Sequence, residues 1–120
     1  MESILTSTKK LLGIAEDYNH FDPDLIMHIN SVFTILTQLG VGPKGGFMIL
    51  DENATWDEFL PEGKYLMAVK SYVAQKVRLL FDPPTNSAVM ECINKMIQEF
   101  EWRLNVEVET PSNDTNIQNG

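Results

Sequence analysis

The most regular pattern in the chain lies at residues 25–39. Leu25, Ile29, Val32, Leu36 and Leu39 recur at helical spacing there, and Ile26 and Phe33 widen the same stripe. Asp22 offers a cap, Pro23 suits the first helical position, where its missing N–H costs nothing, and Gly40 suits a left-handed stop. A helix between these signals is predicted. Ahead of it, residues 2–12 carry Ile4, Leu5, Leu11 and Leu12, one side of a short helix that Gly13 can end.

A third helix is predicted over residues 64–81. Leu66, Val69, Val73, Val77 and Leu80 form its stripe, with Tyr65 and Tyr72 beside it. It must stop at "LLFDPPTNSAV". The residue before a proline is pushed out of helical torsions, and the proline itself cannot donate the next helical hydrogen bond. Asp82, Pro83 and Pro84 are therefore a hard break, after which Thr85, Asn86 or Ser87 can cap a fourth helix. That helix, over residues 87–105, places Val89, Ile93, Met96, Ile97, Phe100 and Leu104 on one face. Helices three and four then form a short-linked hairpin or corner.

Between helices two and three, "GVGPKGGFMILDENATWDEFLPEG" loses all periodicity. Residues 47–50 suit a short strand or extended stretch. In "TWDEF", Thr55 and Glu58 have the spacing of a reciprocal capping pair that starts a helical turn, and Pro61 keeps that turn short. The expected fold class is all-α: a small helical bundle of about four helices with a long glycine-rich loop between helices two and three. Residues 1–105 read as a single domain. Residues 106–120 read as a polar, disordered tail, because they lack the apolar surface to offset ordering. The expected core is Leu25, Ile29, Val32, Phe33, Leu36, Val69, Val73, Val77, Leu80, Ile93, Met96, Ile97 and Phe100.

Composition narrows the function classes. A chain of 120 residues with 43% apolar content holds one modest core. Its formal net charge of -8 argues against a free-standing nucleic-acid binder, which needs clustered Lys and Arg to neutralise phosphates. The apolar runs are too short to span a bilayer. Lys9 and Lys10 fall where a secretory signal would be most apolar, so none is expected. One cysteine, Cys92, excludes an internal disulfide framework and reads as a small hydrophobe on a helix flank.

Candidate chemistry is sparse. Asp51, Asn53, Thr55, Asp57 and Glu62 fall near the offsets of a calcium-binding helix–loop–helix, but Trp56 occupies the position where that loop needs glycine for its sharp turn. Trp56 and Phe59 then read as anchors of a capped turn. His20 and His28 have no metal-ligand or nucleophile spacing relative to Cys92, Asp17 or Asp22. The glycines of "LGVGPKGG" neither follow a strand nor open a helix, as a phosphate cradle requires. In "QEFEWRL", Arg103 can pair with Glu99 four residues earlier, and Trp102 either packs or anchors an interface. No catalytic, cofactor-binding or metal-binding set emerges, and no enzyme activity or cofactor is expected.

Two stretches together, "HINSVFTILTQLGVGP" at residues 28–43 and "KVRLLFDPPTNSAVMECINKMIQEFEWRL" at residues 76–104, resemble the small head–tail connector, or head-completion adaptor, proteins of long-tailed bacteriophages and prophages. The likeness covers residues 22–104, including the Phe81-Asp82-Pro83-Pro84 break, the "EWRL" ending and the tryptophan-containing turn at "TWDEFL". It rests on packing and turn motifs, with no chemistry in them. It implies a structural virion protein, made in the host cytoplasm and placed at the head–tail interface. Such subunits form a homo-oligomeric ring of roughly a dozen beneath the portal after DNA packaging. The portal protein and a stopper or tail-completion protein are the implied partners, with DNA passing through the ring without specific binding. The long loop and last helix make Phe47, Trp56, Phe59, Trp102 and Arg103 the interface candidates, and Asp82, Pro83 and Pro84 fix the angle that ring closure needs. Two alternatives come from other classes: a small acidic helical adaptor or regulator binding a host protein, and a hydrolase using His28 or Cys92.

Overall fold

The central pair of the computed structural model, which describes residues 2–109, is α2 (Asp22–Gln38) packed against α4 (Leu66–Phe81). α1 (Ile4–Leu11) touches both, and α5 (Ser87–Glu109) rests on α4. The remaining helix, α3 (Trp56–Phe59), is the single turn read from "TWDEF". The architecture is all-α. Among the described residues the nearest approach to a sheet is an isolated antiparallel bridge between Ser3 and Thr55.

The stripes decide the packing. Leu25, Ile29, Val32, Phe33 and Leu36 of α2 are fully buried, as are Val69, Tyr72, Val73 and Val77 of α4. Ile4 and Leu5 of α1 close one side, and Ile93, Ile97 and Leu104 of α5 close another. Each such side chain contributes about 1.5–3 kcal/mol when removed from water. Two expected core residues are outside. Leu80 is 51% exposed, because the last turn of α4 is covered through Phe81, whose aromatic ring meets Phe21 edge-on at 5.1 Å. Met96 is 38% exposed, lying on the edge of the face that Ile93 and Ile97 bury. Phe100 is only half-buried.

The element ends follow local chemistry. Asp22 does not cap α2; its carboxylate lies 3.0 Å from Lys9 Nζ. Lys9 is itself buried and donates a 2.9 Å hydrogen bond to the Glu16 carbonyl, so one cation ties α1, the following loop and α2 together. Gly40 takes φ 86, the left-handed turn expected after α2, and Val41 N–H donates back to the Leu36 carbonyl at 2.9 Å. α4 begins at Leu66 because Tyr65 takes φ 63, outside the helical region. α5 continues past residue 105 to Glu109. The rest of the polar tail, residues 110–120, lies outside the described residues.

The long connection from α2 to α4 is pinned. Asn30 Nδ2 donates to the Ile49 carbonyl at 2.9 Å, and Ile49 N–H donates to Asn30 Oδ1 at 2.7 Å. Residues 47–50 therefore run as an irregular stretch clamped to α2, with no strand formed.

Candidate interaction surfaces

The break after α4 is built as the sequence dictates. α4 ends at Phe81, Asp82 leaves helical torsions at φ -151 and ψ 71, and Pro83 and Pro84 carry the chain around. Asn86 restarts it: its side-chain oxygen accepts from the backbone N–H groups of Ala88 at 2.8 Å and Val89 at 3.2 Å. Across the junction the Tyr72 hydroxyl donates to Glu101 at 2.7 Å, and Lys76 lies 3.6 Å from the same carboxylate. Burial first, then the hydrogen bond and charge of Glu101, push the Tyr72 phenol far above its ordinary range. Tyr72 therefore stays a neutral donor, and the relative placement of α4 and α5 is held by a short polar link as well as by the break.

The loop candidates divide. Trp56 is 3% exposed and its Nε1 donates to Ser7 Oγ at 2.7 Å; Phe59 is fully buried. Both fill space against Phe33, whose aromatic ring lies 4.5 Å from that of Phe59 and 6.2 Å from that of Trp56. They anchor the turn, helped by Thr55 N–H, which donates to the Glu58 carboxylate at 2.8 Å. Phe47 is half-buried, 5.3 Å from Phe33, while the neighbouring Met48 and Leu50 are exposed. The large apolar side chains that the long loop presents outward are thus Met48 and Leu50.

The α5 candidates are on the surface. Trp102 is 65% exposed. With about 3.6 residues per turn, it falls on the opposite side of α5 from Ile93, Ile97, Phe100 and Leu104. Arg103 is exposed and makes the predicted pair with Glu99, its Nη2 donating at 2.8 Å. Tryptophan and arginine side by side on an outward face are the residue types that most often carry binding energy at interfaces.

A further feature was not legible in the sequence. The α2–α3 connection and the start of α4 enclose an open, mostly apolar cleft of about 430 Å³, with Val41, Pro43, Phe59, Pro61 and Tyr65 among its walls. Gly42 sits at φ 88, and a Cβ there would run into the Phe59 ring, so glycine is required for the wall to close.

Among the described residues no three His, Cys, Asp or Glu side chains converge as metal ligands would. His20 stacks edge-on with Phe21 at 4.9 Å, and the His28 ring lies 6.4 Å from that of Phe81. Cys92 is exposed on α5, and no described helix is long and apolar enough to cross a membrane.

The family model described as "Phage connector protein" matches residues 4–111. The match spans all five helices, and the chain belongs to that family. Neither the curated proteins nor the solved structures give a match.

Proposed function

We propose that this member of the phage connector family works at the head–tail joint, as one subunit of a ring seated between the portal and the tail after DNA packaging. The family gives a structural connector role in the virion. The finer placement is supported by the combination of a rigid helical body, a polar-locked α4–α5 junction and outward-facing Trp102 and Arg103. A closed ring needs the same angle between neighbouring surfaces in each subunit, since small errors accumulate around the circle. The break at Asp82, Pro83 and Pro84, with the Tyr72–Glu101 link across it, supplies a fixed angle. The observation that carries the reading is the family match over residues 4–111, which includes both sides of that junction.

In this role the portal and a stopper or tail-completion protein meet opposite faces of the ring, and DNA passes through its centre without specific contacts. The chain contributes shape and docking surface and performs no reaction. Deleting the gene from its phage or prophage tests the reading by electron microscopy of the lysate. DNA-filled heads and unattached tails are expected. A normal yield of joined particles would overturn the assignment.

A further inference from the structure

We infer that the apolar strip formed by Met27, Met48 and Leu50 docks a cationic amphipathic segment of another protein, one that carries apolar anchors flanked by Lys or Arg. The inference rests on the connector reading and deepens it by stating the chemistry of one partner at the joint.

The clamp between Asn30 and Ile49 builds the strip. Ile49 is buried, and the alternation of an extended stretch turns its neighbours Met48 and Leu50 outward; Leu50, at 82%, is the most exposed large apolar residue among those described. Met48 and Thr34 line one groove, so residues 47–50 run back along α2 and carry Leu50 towards the turn of Met27, which is also exposed. Between them, Ser31 and Thr34 donate their hydroxyls to the Met27 and Asn30 carbonyls of their own helix, which leaves the strip without free hydroxyl donors. The groove beside Met48 measures about 420 Å³, with Gly46 and half-buried Phe47 in its walls. It can receive an apolar side chain. Methionines are unbranched and adapt to a partner's shape, and contiguous exposed apolar surface marks interaction sites.

The rim decides what covers it. Asp24 lies one turn before Met27 on the same side of α2, and Asp51 and Glu52 directly follow Leu50; all three are exposed. Among the described residues none of them joins an ion pair, and Asp51 only accepts the Asn53 N–H at 2.8 Å. Lys44, two residues ahead of Gly46, is the one opposing lysine near the strip in sequence, at its groove end. An apolar strip with such a rim repels nucleic acid and anionic lipid. It also suits a second copy poorly. Of the chain's nine cations, Lys9, Lys70, Lys76, Lys95 and Arg103 already pair with its own carboxylates, and Lys10, Lys44, Lys64 and Arg78 are spread over α1, the long connection and α4. Two copies meeting strip to strip would set acidic rim against acidic rim. Lys or Arg beside apolar anchors on a different protein fits both features: burial of the anchors supplies affinity, and the carboxylates steer the encounter and reject other partners.

The test uses the full chain with its six methionine methyl groups labelled for nuclear magnetic resonance. The probes are a synthetic amphipathic peptide of leucine and lysine and its leucine–glutamate counterpart. With the leucine–lysine peptide the Met27 and Met48 signals are expected to shift, while that of Met67, exposed on α4, stays in place. Met48→Ser with Leu50→Ser, and Asp24→Asn with Glu52→Gln, all at exposed positions, should keep the helical spectrum and weaken binding by about fivefold or more; added salt should weaken it as well. No binding of the leucine–lysine peptide, equal binding of the leucine–glutamate one, equal shifts at Met67, or binding unchanged in either double variant overturns the inference. So does movement of the Met27 and Met48 signals when the chain alone is concentrated, which would assign the strip to a second copy. None of those results touches the connector assignment, which the deletion phenotype decides separately.

Discussion

The phenol of Tyr72 on α4 donates a 2.7 Å hydrogen bond to the carboxylate of Glu101 on α5, joining the two helices on either side of the proline break. Lys76 stands 3.6 Å from the same oxygen and balances its charge. A hydrogen bond to a charged group contributes about 1.5–3 kcal/mol. In a domain whose total stability is on the order of 5–15 kcal/mol, that is enough to favour one α4–α5 arrangement over its neighbours.

This link has a pH signature. Burial and Glu101 raise the Tyr72 phenol above its ordinary value of 10.0, so above that pH the folded chain keeps a proton that the unfolded chain loses. The contribution is whole below pH 10.0 and declines as pH rises further, because the folded state then binds more protons than the unfolded one. Tyr72→Phe should lower stability at neutral pH by about 1–3 kcal/mol and flatten the alkaline decline. Urea midpoints measured from neutral to strongly alkaline pH for both proteins check this. Parallel declines would show that Tyr72 is not the group responsible.

The two ends of the α4 stripe should respond oppositely to substitution. Val73 is fully buried, and Val73→Asp places an unpaired charge in the core at a cost of several kcal/mol, enough to unfold the chain. Leu80 is 51% exposed, and Leu80→Gln should change stability by no more than about 0.5 kcal/mol. Circular dichroism melts distinguish the pair; a folded Val73→Asp chain would contradict the packing described.

Two glycines of the same loop should also differ. Gly42 holds φ 88 with the Phe59 ring where a Cβ would lie, whereas nothing stands within 4 Å of a Cβ at Gly45. Gly42→Ala is expected to cost about 1–3 kcal/mol through backbone strain and overpacking. Gly45→Ala should be near neutral. Thermal melts of the two variants side by side are the check.

The charge of the chain predicts how it treats DNA. With a net charge of -8 its acidic residues outnumber the cations that drive binding by counterion release, and the proposed ring of such subunits would repel phosphate instead of gripping it. No affinity for duplex DNA is expected at physiological salt in a fluorescence anisotropy titration, and any binding at low salt should vanish steeply as salt rises. Tight binding that survives physiological salt would replace a passive conduit with a DNA clamp.

Local signals carried much of this fold. The stripe of α2, the stop at Asp82, Pro83 and Pro84 and the turn at "TWDEF" are each set by residues within a few positions of one another and are where the sequence placed them, and of the three caps it offered for the last helix, Thr85, Asn86 and Ser87, Asn86 is the one used. What escaped the sequence depends on partners far along the chain. Lys9 is buried because the Glu16 carbonyl and Asp22 converge on it, which also takes Asp22 away from its expected capping role. Leu80 follows the periodicity of its helix but lies where Phe21 covers Phe81 instead. Among the surface candidates, Trp102 and Arg103 are outside, whereas Trp56 and Phe59 went inward because Phe33 and Ser7 received them. The cleft beside Tyr65 was invisible, since it is made by three separate segments meeting.

The central claim is that this chain sits at the head–tail joint as a ring subunit, and imaging the joint of purified virions by electron cryomicroscopy tests it most directly. The account predicts a ring of density between portal and tail into which the described five-helix body fits, with the chain present in the same particles by mass spectrometry. Joined virions that lack the chain, or a joint whose density this fold does not fit, would contradict it.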